Sequence, residues 1–310
     1  MKIVFMGTPD FSVNTLEAIL EAGHQVAAVV TQPDKTKGRG KILQATPVKE
    51  VAMAHGLTVY QPKKVREDGF LEKLKKIHPD VIVVVAFGQI IPGTILKLPK
   101  FGCINVHASL LPKYRGAAPI QWALINGEEV SGVTIMRMDA GVDTGDILSK
   151  EEILLEKDET SSSLFGKLRE MGARQLVQTL ERLEDGTVQP QKQPAESSTD
   201  YARMINKADG LINWRKDAKS IERLIRGMNP WPSAFTRMKG KNLKIWKADV
   251  LQQDSKLAPG TVVSAGKEGL SVQTGKGQLN ILELQLEGKN RMDVDAFLRG
   301  CFQKTGAIFG

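Results

Sequence analysis

Through the first two hundred residues, short β-branched runs alternate with stretches in which apolar positions recur every three or four residues. KIVFMG (2–7), QVAAVVTQ (25–32), TVYQP (58–62), DVIVVVAFG (80–88), CINVHAS (103–109) and GVTIMRMD (132–139) predict strands, several of them apolar on both faces. Helical periodicity falls at 11–22, 47–55, 67–77, 118–126 and 160–184. Thr46 ahead of Pro47 predicts one helix start, and Gly56 predicts its stop. Strand and helix in alternation predict right-handed crossovers and an α/β fold, with a doubly wound, mainly parallel, Rossmann-like sheet over residues 1–189. The periodicity lapses in DGTVQPQKQPAESSTDYA, which predicts a linker at 190–205. Beyond it, SIERLIRGMNPWP predicts a helix stopped by prolines. AFTRM, NLKIWKADV, GTVVSAG, LSVQT and QLNILELQLEG then predict short strands of a smaller C-terminal β-barrel, OB-like, over 206–310.

Composition agrees with two domains, since 310 residues at 41% hydrophobic exceed what one core usually serves. No apolar run reaches 18 residues, and MKIVFMG is too short for a signal sequence. A soluble, cytoplasmic protein without a membrane partner is expected, acting as a monomer. Cys103 and Cys301 are far apart and lack a CxxC neighbour, so neither a metal site nor a disulfide framework is expected and both read as inert thiols. Charge divides unevenly. Residues 1–205 carry 25 basic and 25 acidic side chains, residues 206–310 carry 18 and 10, and the whole net charge of +8 therefore falls in the last third. Such segregation predicts a polyanionic partner, with nucleic acid favoured over membrane; a merely soluble surface is the plainer alternative.

Three segments carry candidate chemistry. Asn105 and His107 share one side of the alternation in CINVHASLLP, at the carboxyl end of a predicted strand, where parallel sheets bind ligands. A satisfied core histidine is the alternative. His24, His55 and His78 have structural explanations, in a turn, a last helical turn and a position before proline. The acidic turn MDAGVDTGDI (138–147) holds Asp139, Asp143 and Asp146 and either reaches the same rim or is an ordinary solvated loop. Histidine, carboxylate and amide together supply proton transfer, orientation and a donor for an oxyanion; direct transfer fits them better than a covalent intermediate. FMGTPDF retains only Gly7 of a dinucleotide fingerprint, so NAD binding is not expected. Finally, PDKTKGRGKILQATPVK (33–49) is too long for a strand-to-helix connection. Its Lys35, Lys37, Arg39 and Lys41, spaced by glycines, predict a flexible basic arm that can grip phosphate or stack on bases, with a solvated insertion as the alternative.

GTPDF (7–11), GRGK (38–41), CINVHASLLPKYRGAAPIQWAL (103–124), GVTIMRMDAGVDTGD (132–146) and NPWPSAF (229–235) occur together and in order. On these motifs the chain resembles the methionyl-tRNA formyltransferases, a branch of the folate-dependent formyltransferase family. The central motif belongs to the wider family; the basic loop, NPWP and the basic C-terminal third point to the tRNA branch. The resemblance implies that 10-formyltetrahydrofolate, as co-substrate, gives its formyl group to the amino group of methionyl initiator tRNA, for translation initiation. It also implies catalytic positions at Asn105, His107 and Asp143, and a folate site at Phe87, Gly88, Ser109, Leu110, Leu111 and Pro112. Lys35, Lys37, Arg39 and Lys41 would meet tRNA. Ala108 stands where some members have glycine, and an ordinary φ is expected there. A formyltransferase of a small amine would not need the basic loop or the last third, and a non-catalytic tRNA-binding protein would not need Asn105, His107 and Asp143 together.

Overall fold

The structure, a computed structural model, describes residues 1–37, 42–266, 269–300 and 305–310, apart from the side chains of residues 37, 42 and 68. Arg39, Lys41 and Cys301 lie outside the described residues, as does the side chain of Lys37.

The N-terminal part runs β1 (Lys2–Gly7), α1 (Asp10–Glu21), β2 (Gln25–Val30), β3 (Lys35–Lys37), β4 (Ile42–Gln44), α2 (Pro47–Ala54), β5 (Val59–Tyr60), α3 (Asp68–Ile77), β6 (Val81–Val85), α4 (Gly93–Leu96), β7 (Cys103–His107), α5 (Pro119–Asn126), β8 (Val130–Arg137), β9 (Ile147–Leu154) and α6 (Ser161–Glu184). Seven of these strands form one sheet in the order β5-β2-β1-β6-β7-β8-β9. Pairing is parallel from β5 through β7, and β8 turns antiparallel to β7. The chain moves outward from β1 through β2 to β5, then returns to the other side of β1 with β6. That reversal is the topological switch point of a doubly wound sheet, and it opens a crevice at the carboxyl ends of β1 and β6. All five residues of β6 are buried, as a strand covered on both faces requires. Thr46 caps α2 by accepting from the Lys49 N–H at 3.2 Å, with Pro47 at the first helical position as expected.

The insertion after β2 is an antiparallel hairpin, β3 paired with β4 in the register Lys35↔Gln44, Thr36↔Leu43 and Lys37↔Ile42. The sequence predicts a flexible arm; its two ends are these paired strands, with β-branched Thr36 and Ile42, and Gly38–Lys41 lie outside the described residues. Its feet are tied. Thr31 and Thr46 share a buried hydroxyl hydrogen bond of 2.7 Å, and Asp34 takes Lys49 Nζ and Gln61 Nε2, each at 2.6 Å.

The C-terminal part contains α7 (Ala218–Gly227), β10 (Ala234–Met238), β11 (Lys241–Leu251), β12 (Val262–Gly266), β13 (Gly269–Gln273), β14 (Gln278–Leu286), β15 (Met292–Asp293) and α8 (Val294–Gly300). The strands form an antiparallel sheet, β10-β11-β14-β13-β12, with β15 also on β14; no ladder among the described residues joins β10 to β12. Leu243, Ile245, Val272, Leu279 and Ile281 from the sheet pack with Trp214, Ile221 and Phe309 into one core. Register shifts around Lys247 bend the long β11.

The chain divides into two compact units that are each discontinuous. One comprises residues 1–116, 130–153 and 165–202; the other comprises 117–129, 154–164 and 203–310. Helix α5 thus belongs with α7: Gly227 lies so near Ile125 that an added Cβ would stand 2.6 Å from its Cγ1, and Ala118, Ile205 and Met228 form a shared apolar cluster. Residues 190–202 group with the first unit. No helix among the described residues is long and apolar enough to cross a membrane.

Candidate active site

Alternation along β7 sends Ile104 and Val106 to one face and Asn105 and His107 to the other, and the strand ends at His107. His107 is 6% exposed. Its Nε2 lies 3.0 Å from the carbonyl oxygen of Tyr114. A carbonyl only accepts, so Nε2 carries the proton of this bond and Nδ1 is the ring atom open to proton exchange. Nδ1 faces Asp143 Oδ2 at 3.7 Å, and that same oxygen accepts the Gly116 N–H at 2.8 Å. Asn105 is half-buried, and its side chain makes no hydrogen bond among the described residues. The expected trio is therefore partly assembled: His107 and Asp143 adjoin, and Asn105 shares the face of His107. Asp139 turns away to hold its own loop, accepting from Gly141 N–H at 3.0 Å and Thr144 Oγ at 2.7 Å.

Two backbone conformations shape this corner. Tyr114 and Asp143 have φ of 58° and 55°, left-handed values unusual for residues other than glycine. Ala108 is not among the positive-φ residues, as expected. The following segment is tied down by Thr134, fully buried opposite His107 on β8, whose hydroxyl accepts the Leu111 N–H at 3.0 Å and donates to the Ser109 carbonyl at 2.7 Å. Ser109 Oγ spends its proton on the Lys113 carbonyl at 2.7 Å.

The remaining expected residues divide by what they expose. Leu111 is fully buried against Met136 and Ile147, and Phe87 is buried in the core beside Val84 and Ile91, so neither side chain offers ligand surface. Leu110 and Pro112 stay half-buried. The backbone at Phe87 is part of the rim: its carbonyl accepts from Thr8 Oγ at 3.2 Å and Gln32 Nε2 at 3.1 Å, joining the loops that leave β1, β2 and β6, and Gly88 follows with φ 80°. Lys35 is exposed on β3. Elsewhere, burial pushes the Cys103 thiol up to about 12, which makes it inert. His24 lies against the Met1 amine, and burial lowers its pKa. His78 takes a left-handed cap on α3.

Arg115, Gln193 and Thr199 escaped the sequence reading, and all three hold this corner. Arg115, 8% exposed, directs Nε and Nη2 at Gln193 Oε1 (3.1 and 2.9 Å), and also donates to the carbonyls of Pro194 and Ala195. A charged residue, Arg115, set between Tyr114 and the small and apolar GAAPI was the available signal. Gln193 and Thr199 sit in a Pro/Ser-rich stretch where nothing local marks a contact.

The formyl transferase family matches residues 1–180, and the formyl transferase C-terminal domain matches residues 204–301. The chain is 57% identical over 309 residues to the methionyl-tRNA formyltransferase of Agathobacter rectalis, covering 100% of this chain and 99% of that one. It is 56% identical over 315 residues to the methionyl-tRNA formyltransferase of Lachnospira eligens, covering 100% of each. Among solved structures, an N-formyltransferase from Helicobacter canadensis in complex with folinic acid and dTDP-3-aminofucose superposes with a TM-score of 0.68 at 21% identity, over 91% of this chain and 99% of that one. That likeness is one of fold.

Proposed function

The chain belongs to the formyl transferase family, and from that premise we propose that the rim at the end of β7 is where a formyl group passes from 10-formyltetrahydrofolate to the amino group of methionyl initiator tRNA. Full-length identity to methionyl-tRNA formyltransferases supports the acceptor. The observation that carries the chemistry is the seat of His107, one ring nitrogen held by a carbonyl and the other turned to Asp143.

In this reading the neutral amine nitrogen attacks the formyl carbon, forming a C–N bond and a tetrahedral species with a negative oxygen and a positive nitrogen. The Asn105 amide, without a hydrogen-bond partner among the described residues, donates to the oxyanion. His107 acts through Nδ1, because Nε2 is engaged: the neutral ring accepts a proton there, and only the doubly protonated ring donates from it to that oxygen. Asp143 fixes the ring and assists in taking the amine proton, directly or through water. Breaking the C–N10 bond returns a proton to the folate nitrogen and completes the transfer.

For the folate we assign the Phe87–Gly88 backbone, the segment Ser109 to Pro112 and the apolar surface of Leu110 and Pro112. Lys35, Lys37, Arg39 and Lys41 on the inserted loop, with the basic last third, are assigned to tRNA. The enzyme is proposed to work in the cytoplasm as a monomer. Residues 1–189 are proposed as its catalytic domain and 206–310 as the tRNA-binding domain, except that 117–129 and 154–164 group with the latter, and residues 190–202, expected as connecting chain, group with the former. The test is incubation with 10-formyltetrahydrofolate and either methionyl initiator tRNA or free methionine. Formylation of the tRNA-linked amine alone is expected; equal formylation of free methionine would assign the site to small amines.

A further inference from the structure

Resting on the roles just given to His107 and Asp143, we propose that Gln193 and Arg115 are positioning residues, a two-residue clamp that sets the imidazole and carboxylate in register. Gln193 uses both ends of its amide. Nε2 donates to the carbonyls of Asp143 at 3.0 Å and Gly145 at 2.7 Å, while Oε1 accepts twice from Arg115. Arg115 is flanked by the two residues that touch the site: the Tyr114 carbonyl holds His107 Nε2, and the Gly116 N–H holds Asp143 Oδ2. The clamp therefore joins the loop bearing Asp143 to the loop that fixes both partners.

The loops need such a hold. Tyr114 and Asp143 both sit in left-handed backbone, which persists only when surrounding contacts over-determine it. Their contacts come largely from residues 193–202: Thr199 Oγ accepts the Tyr114 N–H at 2.7 Å, Ser197 Oγ donates to the Pro112 carbonyl at 2.7 Å, and the Arg115 carbonyl accepts the Ala202 N–H at 2.7 Å. At Gly116, φ 124°, a Cβ would stand 2.6 Å from the Ala202 carbonyl oxygen, so this strap lies flush on the loop. Buried guanidinium charge is costly to place, yet Arg115 meets neutral oxygens in these bonds rather than a carboxylate. That expense is consistent with a geometric task. The strap falls between the two family matches, at residues 1–180 and 204–301, and so is covered by neither.

Gln193→Glu tests the clamp because it keeps the shape and the acceptor for Arg115 but replaces the Nε2 donor with an oxygen facing two carbonyls. We expect kcat on methionyl-tRNA to fall about 10- to 100-fold, the loss of a group misplaced by up to an ångström. KM for folate and for tRNA should stay within about twofold. Arg115→Lys, which keeps charge but not the fork, should show the same split at smaller size. In an Asp143→Ala background, followed by single turnover at high enzyme, the additional loss from Gln193→Glu should shrink to the part that acts through Tyr114 and His107, since the remainder acts through Asp143. Wild-type kcat in folded Gln193→Glu and Arg115→Lys overturns the clamp. An undiminished loss in the Asp143→Ala background overturns it too. Wild-type turnover by Asp143→Ala alone overturns the catalytic reading beneath it, and the clamp falls with that reading.

Discussion

Asp143 has φ 55°, a conformation that asparagine tolerates about as well as aspartate and alanine does not. Asp143→Asn should therefore unfold at the wild-type midpoint while losing activity, and its pH–rate profile should lose the limb due to proton handling. Asp143→Ala should lose the same activity and about 1–2 kcal/mol of stability as well, measured by urea denaturation. Replacing Asn105 or His107 by alanine is expected to lower kcat roughly 100-fold or more with tRNA binding nearly intact, as when an oxyanion donor is removed. Undiminished turnover in either variant would remove that residue from the chemistry. These side chains were legible in the sequence because a period of two places Asn105 and His107 on one face and their loop follows a strand. What the sequence did not reveal is the direction of the ring, which is set by the Tyr114 carbonyl seven residues on. Nor did it reveal Gln193, fifty residues from the carbonyl of Asp143 that it holds. Such contacts depend on which loops share a rim, and no local periodicity encodes that.

Among the elements, β1, β2, β6 and β7 declared themselves as β-branched runs, and α2 by its Thr-Pro start. Strand β9 did not: ILSKEEIL is half polar, only Ile147 and Leu148 are buried, the rest alternate half-buried with exposed, and a lysine and two glutamates weaken its strand signal. Neighbouring β8 contributes Thr134, whose hydroxyl spans the Ser109–Leu111 segment. Thr134→Val keeps the volume but leaves the Leu111 N–H and Ser109 carbonyl short of a partner, so a loss of about 1–3 kcal/mol is expected in urea denaturation. The β3–β4 hairpin has a different dependence. Hydrogen bonds from Lys49 and then Gln61 hold the Asp34 carboxyl below its usual value. A depressed folded pKa contributes stability above the unfolded value and loses it as pH falls through the folded one. The urea midpoints of wild type and Asp34→Asn should accordingly differ at pH 7 and converge as pH drops below about 4. A constant gap across that range would mean that the Asp34 charge does not tie the hairpin feet.

At the scale of the molecule, the +8 net charge arises wholly beyond residue 205. Binding of methionyl-tRNA should therefore weaken steeply with salt, the logarithm of affinity falling linearly with that of salt concentration. A flat dependence would assign the basic third to solubility alone. Two domains were legible from length, charge and the change of period near residue 190. Their interleaving was not, because α5 reads simply as the next helix of an alternating chain, whereas its packing partner α7 lies about a hundred residues further on. Removal of residues 206–310 consequently leaves α5 without α7, and the remaining fragment should aggregate or melt well below the full chain. The same interleaving bears on heredity. A crossover between related genes near codon 204 joins one parent's α5 to the other's α7, where Gly227 meets Ile125 with no room for a methyl group. Chimeras should survive only when the incoming half brings glycine at that position, so the two halves are expected to descend together rather than be traded as interchangeable modules.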